Sequence, residues 1–244
     1  FTKRRVLKQL TKLTIDAANV MSCVSKDMVL QYKSIFKKAP HQCIYNIVDD
    51  PLSRQKMHEK VDHDWLNDDR VRVIVGSGRL AEWKGFEDLI RAMPMILKTR
   101  KVKLLILGDG PLKEHLSQII NELGLKTSVD LMGYVKNPLK YYKNADVFVL
   151  SSYVEGLPNV LIEAMMCGCT PVATDCPTGP REVLQNGKYG YLVPMKNPVL
   201  LAEGVMHALE NPISTNLLEE AIKPFGVDSV IKSHFLSLGI PLET

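Results

Sequence analysis

The sequence predicts an α/β fold, a Rossmann-like doubly wound parallel sheet, and three observations predict it. From Val71 onward, short β-branched or aliphatic runs alternate with amphipathic stretches. Each apolar run closes on Gly, Ser, Asp or Pro, the residues that end strands. The amphipathic stretches carry apolar residues three and four apart, as in Leu112, Leu116, Ile119, Ile120 and Leu123. Alternation of these two patterns is the mark of β-α-β units and of a sheet covered on both faces.

The six strands fall at Val71–Val75, Lys103–Leu107, Val129–Met132, Val147–Leu150, Thr170–Ala173 and Tyr191–Val193. The helices between and after them fall near Phe86–Leu97, Leu112–Leu123, Leu139–Asn144, Pro158–Cys167, Pro180–Gln185 and Val199–Glu210. Pro158 suits a first helical turn, Gly124 and Gly168 suit helix ends, and Gly187 after Asn186 is a further stop. Pro94 conflicts with a straight first helix and predicts a kink there.

The first 50 residues differ from the rest. A basic amphipathic stretch leads to an apolar run at Ala17–Val24, a helix-like segment after Ser25 and a short apolar run at Cys43–Val48, too little for a separate core. Asp49 to Asp69 is polar, holds seven acidic residues and has no strong period, so it reads as a linker. Phe1 begins mid-pattern, without an initiator Met or a signal-peptide core, which suggests a piece of a longer chain.

Composition narrows the function classes. The 244 residues are 45% hydrophobic and 24% charged, within the ordinary globular range. A net charge of +4 with interleaved signs argues against a nucleic-acid-binding protein. Lys3, Arg4, Arg5, Lys8 and Lys12, followed by Lys33, Lys37 and Lys38, form either a solvated helix face or a contact for an anionic membrane surface or an acidic partner. Cys23, Cys43, Cys167, Cys169 and Cys176 are an odd set without paired C-x-x-C spacing, which predicts a reducing compartment and no zinc. The six histidines are scattered without a metal-binding pattern, and no apolar run reaches the ~18 residues of a membrane span.

Two segments carry the chemistry. The first strand runs into Gly76-Ser77-Gly78-Arg79-Leu80 and then Lys84-Gly85, at the strand edge where open α/β sheets bind ligands. A dinucleotide fingerprint would continue to a third glycine, whereas here two cations follow. Arg79 can grip phosphate oxygens in a fork and Lys84 supplies a point charge, so the pair can neutralise a departing diphosphate without magnesium. Read structurally, both are surface cations on a loop.

The second segment runs from Glu155 to Met165, directly after the Val147–Leu150 strand, and opens a helix at Pro158. Free amides at that helix start offer an anion site, and Gly156 allows close approach. Carboxylates beside an anion site cost electrostatic energy, so Glu155 and Glu163 need a reason to be there. Hydroxyl recognition supplies one, Glu163 for ribose and Glu155 for a sugar, since a carboxylate accepts from hydroxyl donors. The structural alternatives are an ion pair for Glu163 and dipole stabilisation for Glu155.

Gly78-Arg79-Leu80 with Lys84-Gly85, the run Leu107-Gly108-Asp109-Gly110-Pro111, Gly133-Tyr134-Val135, and Glu155 with Glu163 together resemble the C-terminal domain of retaining GT-B glycosyltransferases of family four. The resemblance covers Ala17 to the end. It implies that Arg79 and Lys84 bind the donor diphosphate, that Glu163 holds the ribose, and that Glu155 lies near the donor sugar. Amides of Leu157, Asn159 and Val160 would complete the phosphate cradle beside Gly78, and Val135 and Tyr134 would meet the base. Thr178-Gly179-Pro180-Arg181-Glu182 departs from the family's Gly-Gly and is close to the variant of polysaccharide-building members.

The same resemblance divides the chain into residues 1–50, a remnant of an N-terminal acceptor domain, an interdomain linker at 51–70, a donor-binding domain at 71–222, and at 223–244 a helix returning to the N-terminal domain. It implies a hexosyltransferase that moves a sugar from a nucleotide diphosphate donor, UDP-linked by expectation, to a glycan or lipid-linked acceptor with the anomeric configuration kept. No cofactor is obligatory, and the leaving phosphate can itself take the acceptor proton. The implied location is cytoplasmic, peripheral at the membrane face. The competing readings are a nucleotide-sugar-binding module without turnover, a glycoside hydrolase using Glu155 and Glu163, and an NAD-dependent dehydrogenase using Asp109. The hydrolase leaves Arg79 and Lys84 without a task, and the broken glycine fingerprint counts against the dehydrogenase.

Overall fold

A computed structural model describes residues 2–36, 41–68 and 70–240. Lys37, Lys38, Asp69 and the side chains of Lys3, Arg4, Arg5 and Lys8 lie outside the described residues. The basic opening is helix α1 (Thr2–Asp16), and a small parallel pair follows, β1 (Met21–Cys23) and β2 (His41–Cys43), with α2 (Lys26–Ile35) between them. The second strand thus precedes most of the expected Cys43–Val48 run. Residues 44–48 instead form an extended connection in which Ile44 and Val48 are buried.

The segment expected as a featureless linker holds a helix, α3 (Pro51–Lys56). Asp50 caps it, accepting from the amides of Leu52 and Ser53 at 2.9 and 3.1 Å. Six residues are too few to show a hydrophobic period, which is why composition read as linker. Arg54 then bridges Asp49 and Glu219, each at 2.6 Å, and Met57 and Val61 are buried. The segment is packed onto the main unit.

That unit is one six-stranded sheet, made of β3 (Arg72–Ser77), β4 (Val102–Leu107), β5 (Val129–Gly133), β6 (Val147–Leu150), β7 (Thr170–Thr174) and β8 (Tyr191–Val193). All neighbours are parallel, in the order β5-β4-β3-β6-β7-β8, so the doubly wound expectation is met. The two-residue period of the strands divides the core between the faces. Val73, Val75, Leu105, Leu107, Phe148 and Leu150 pack on one side and Ile74, Leu104, Ile106, Val147 and Val149 on the other. Every strand therefore needs apolar residues at consecutive positions, which is the pattern that the sequence shows.

The second of these faces is covered by α4 (Phe86–Leu97), α5 (Lys113–Glu122) and α9 (Pro198–Glu210). The first is covered by α6 (Leu139–Lys143), α7 (Asn159–Met166), α8 (Pro180–Val183) and α10 (Thr215–Ile222). Helix α10 was not anticipated from the sequence; it buries Leu218, Ala221 and Ile222. Helix α4 continues past Pro94, burying Leu89, Ile90, Met93 and Ile96 along one stripe. Helix α11 (Val227–Ser237) ends the described chain, with Phe235, Leu236 and Leu238 exposed. No helix among the described residues is long and apolar enough to cross a membrane.

Candidate functional site

The site lies at the C-terminal edge of the sheet, around β3 and β6, where the chain crosses from one half of the sheet to the other. Gly76 and Ser77 belong to β3 itself, so the loop proper starts at Gly78. Backbone bonds stitch three loops into a floor: Gly78 donates to Leu107 at 2.9 Å, Leu80 to Asp109 at 2.9 Å, and Gly108 to Gly133 at 2.8 Å. The loops meet so closely that a Cβ on Gly108 would lie 1.8 Å from the Gly78 carbonyl oxygen. Leu80 is fully buried and anchors the turn, which leaves the Arg79 side chain exposed at the rim.

Lys84 ends a 3-10 turn (Glu82–Lys84), and Gly85 takes φ +62° to start α4. A side chain there would meet the Ser151 carbonyl at 2.1 Å, so only glycine joins these elements. Ser151 donates its hydroxyl to the Lys84 carbonyl at 2.8 Å, and the Tyr153 amide donates to the Trp83 carbonyl at 2.7 Å. Lys84 is thereby fixed against the loop after β6. Its ammonium meets Glu155 at 2.6 Å, with only 19% and 10% of the two side chains exposed.

Lys84, expected at the diphosphate, and Glu155, expected near the donor sugar, thus pair with each other in this structure. Thr178 also donates its hydroxyl to the Glu155 carbonyl, which ties this loop to the one after β7.

Helix α7 begins at Asn159, one residue later than expected, with Pro158 before it. The Asn159 amide turns back to the Leu157 carbonyl at 3.0 Å, so of the three amides predicted to face an anion this one is engaged. The Asn159 side chain accepts from Asn46 at 3.1 Å, and Leu157 is buried in the core. Val160 and Glu163 lie one turn apart on the face of α7 that lines a cleft of about 470 Å³. Gly78, Arg79, Tyr134 and Val135 line it from the other side. The cleft thus gathers six of the predicted residues, with the Lys84–Glu155 pair outside its lining.

Burial raises the Glu163 carboxyl above its ordinary range, and no donor or cation among the described residues offsets it. Helix α6 packs on α7, and its Tyr142 is fully buried, with Ser77 beside its hydroxyl but no well-formed hydrogen bond to it among the described residues. Burial first, and the Glu163 charge next, push that phenol well above its usual range. Tyr134 is 79% exposed, so its ring is not part of the local packing. Among residues that the sequence left unassigned, Ser77, Lys136 and Pro138 also line the cleft, as does Asp109, which was weighed only for a dinucleotide site.

The family model described as glycosyl transferases group 1 matches residues 57–224. The chain belongs to this family. A Campylobacter jejuni N-acetylgalactosamine-N,N'-diacetylbacillosaminyl-diphospho-undecaprenol 4-alpha-N-acetylgalactosaminyltransferase is 36% identical over 208 residues, covering 84% of this chain and 55% of the relative. An uncharacterized glycosyltransferase of Methanocaldococcus jannaschii is 48% identical over 113 residues, covering 46% of this chain and 28% of that protein. The chain therefore spans little more than half of the first relative and less of the second. The Anabaena protein HepE, solved in complex with UDP and glucose, shares the fold with a TM-score of 0.77 at 22% identity, over 98% of this chain and 67% of that one. The unit described above carries the part of the chain that the glycosyl transferases group 1 model matches.

Two outcomes follow from these electrostatics. A raised carboxyl favours the folded state in its protonated form, and that contribution is lost as pH rises through the folded pKa. Glu163→Gln is expected to stabilise the ligand-free chain at neutral pH, with the gain shrinking as pH falls to about 4; urea titrations at both pH values check this, and destabilisation at neutral pH would contradict it. Truncation of one member of the largely buried Lys84–Glu155 pair leaves a charge unpaired, so Lys84→Met or Glu155→Gln alone should cost about 3 kcal/mol. The double variant should recover most of that loss in a double-mutant cycle, and additive losses would contradict the pairing.

Proposed function

We propose that the cleft binds a nucleotide-sugar donor, and that the whole protein is a retaining hexosyltransferase of glycosyltransferase family four acting in polysaccharide or glycoconjugate biosynthesis. The observation that carries the reading is the arrangement along the sheet edge. An exposed Arg79 and the start of α7 flank the cleft, the half-buried Glu163 lines it, and Tyr134 and Val135 line it from the loop after β5. A diphosphate fits the cationic part, ribose hydroxyls fit a carboxylate that lacks any donor, and a base fits the exposed Tyr134 and the backbone of Val135. UDP is the expected nucleotide; HepE, of the same fold, was solved with it.

In this reading Arg79 stabilises the charge that develops on the β-phosphate as the sugar leaves. Lys84 joins it by exchanging its Glu155 partner for phosphate. Glu155, freed of its cation, then accepts from a donor-sugar hydroxyl. Amides of Leu157 and Val160 remain for the phosphates, while that of Asn159 serves the turn. The chemistry needs no metal ion if these cations carry the leaving group, and the leaving phosphate can take the acceptor proton.

Residues 71–222 would be the donor-binding domain, residues 1–50 would belong to an acceptor domain, 51–70 would connect them, and 223–244 would return toward the acceptor domain. The Campylobacter relative is named for an undecaprenol-linked acceptor. A glycan or lipid-linked acceptor, met at the cytoplasmic face of a membrane by a peripherally held enzyme, is consistent with that and with the basic opening.

Calorimetric titration of the chain with UDP, GDP and ADP in the absence of magnesium tests the donor site. Saturable UDP binding is expected, weakened about tenfold or more by Arg79→Ala. Equal heats for the unaltered chain and Arg79→Ala, or no binding by the folded chain, would overturn the assignment.

A further inference from the structure

We propose that Glu182 is a positioning residue that joins the β1–α2–β2 unit to the sugar end of the donor cleft. The proposal rests on the donor-site reading and extends it to a residue outside the cleft.

Glu182 lies in α8 and accepts four hydrogen bonds from residues far back in the chain. The Lys26 amide donates to its two oxygens at 3.0 and 2.9 Å, the Asp27 amide at 3.3 Å, and the Tyr45 hydroxyl at 2.5 Å. Lys26 and Asp27 open α2, whose capping residue Ser25 accepts from the Met28 amide at 3.2 Å. The first two amides of the helix are left for an outside acceptor, and a carboxylate suits both their geometry and the positive helix end. Asp27 answers by accepting from the Gly179 amide at 3.4 Å, so the two segments clasp each other in both directions. Burial first, and the Glu182 bond next, drive the Tyr45 phenol far above its usual range.

The clasp bears on the donor-sugar end through contacts already fixed by the fold. Gly179 has φ +92°, and a side chain there would meet Pro158 at 2.5 Å and the Gly156 carbonyl oxygen at 3.0 Å. Thr178, one residue earlier, donates to the carbonyl of Glu155. From the other side, the Met28 sulfur lies 3.3 Å from where a Gly156 side chain would begin. Asn46 donates to Asn159 at 3.1 Å. These contacts converge on residues 155–159, at the start of α7, while the base end at Tyr134 and Val135 is built from the loop after β5. Glu182 therefore holds the loops around Glu155 in register with α2 and leaves Arg79 and the base end at Tyr134 and Val135 untouched.

The test uses the full 244-residue chain with Glu182→Ala, Glu182→Gln and Tyr45→Phe. UDP and UDP-glucose are titrated calorimetrically, and amide hydrogen exchange is followed at Lys26 and Asp27 without ligand. In Glu182→Ala, both amides should lose protection, UDP affinity should hold within about twofold, and UDP-glucose affinity should fall about tenfold. Glu182→Gln, which keeps an acceptor oxygen but no charge, should fall between, and Tyr45→Phe should show the smaller effect. Equal weakening of UDP and UDP-glucose, or protection retained at Lys26 and Asp27, would overturn the role of Glu182 alone. Failure of the unaltered chain to bind UDP would overturn the donor-site reading itself, and the role of Glu182 with it.

Discussion

Everything at the site depends on the side-by-side pairing of β3 and β6. They are neighbours in the sheet but distant in the chain, and the connections that leave them run to opposite faces. No helix can cover the sheet edge between two such departures, so a crevice opens there. The loops after these two strands carry Arg79 and Lys84 on one side and Glu155 and the start of α7 on the other. The stability of the sheet, with Ile74, Leu105 and Phe148 fully buried, is what keeps these charged side chains at fixed spacing.

A cost accompanies that arrangement. Glu163 is held in a poorly solvated place without a donor, and Lys84 and Glu155 are withdrawn from water together. Groups placed this way stabilise the fold little, because desolvation opposes the pairing. In the proposed function a hydroxyl would satisfy Glu163 and an anion would compete for Lys84.

The strands were legible because a parallel sheet covered on both faces demands continuous apolar runs, and those at Val147–Leu150 and Tyr191–Val193 have the expected bounds. Arg79, Tyr134 and Val135, which line the cleft, follow glycines at strand ends in the sequence, whereas Glu163 was singled out by its place in the helix after β6. What was not legible depends on partners distant in the chain. The ion pair of Lys84 with Glu155 spans 71 residues, and the bonds of Glu182 to α2 span 155 or more. Neither leaves a local pattern. Helix α3 was missed because one turn and a half has no period to detect, and its Asp50-Pro51 start was the one local signal present. Helix α4 keeps the bounds expected for it, Phe86–Leu97, with Pro94 inside it and Met93 and Ile96 buried on either side.

The most direct test of the central claim is a crystal structure of the chain grown with UDP. The diphosphate should lie between the Arg79 guanidinium and the start of α7, with the ribose at Glu163, the base against Val135, and the Lys84 ammonium moved from Glu155 to a phosphate oxygen. UDP bound away from this edge, or bound there with the Lys84–Glu155 pair intact and Glu163 still unpaired, would contradict the account.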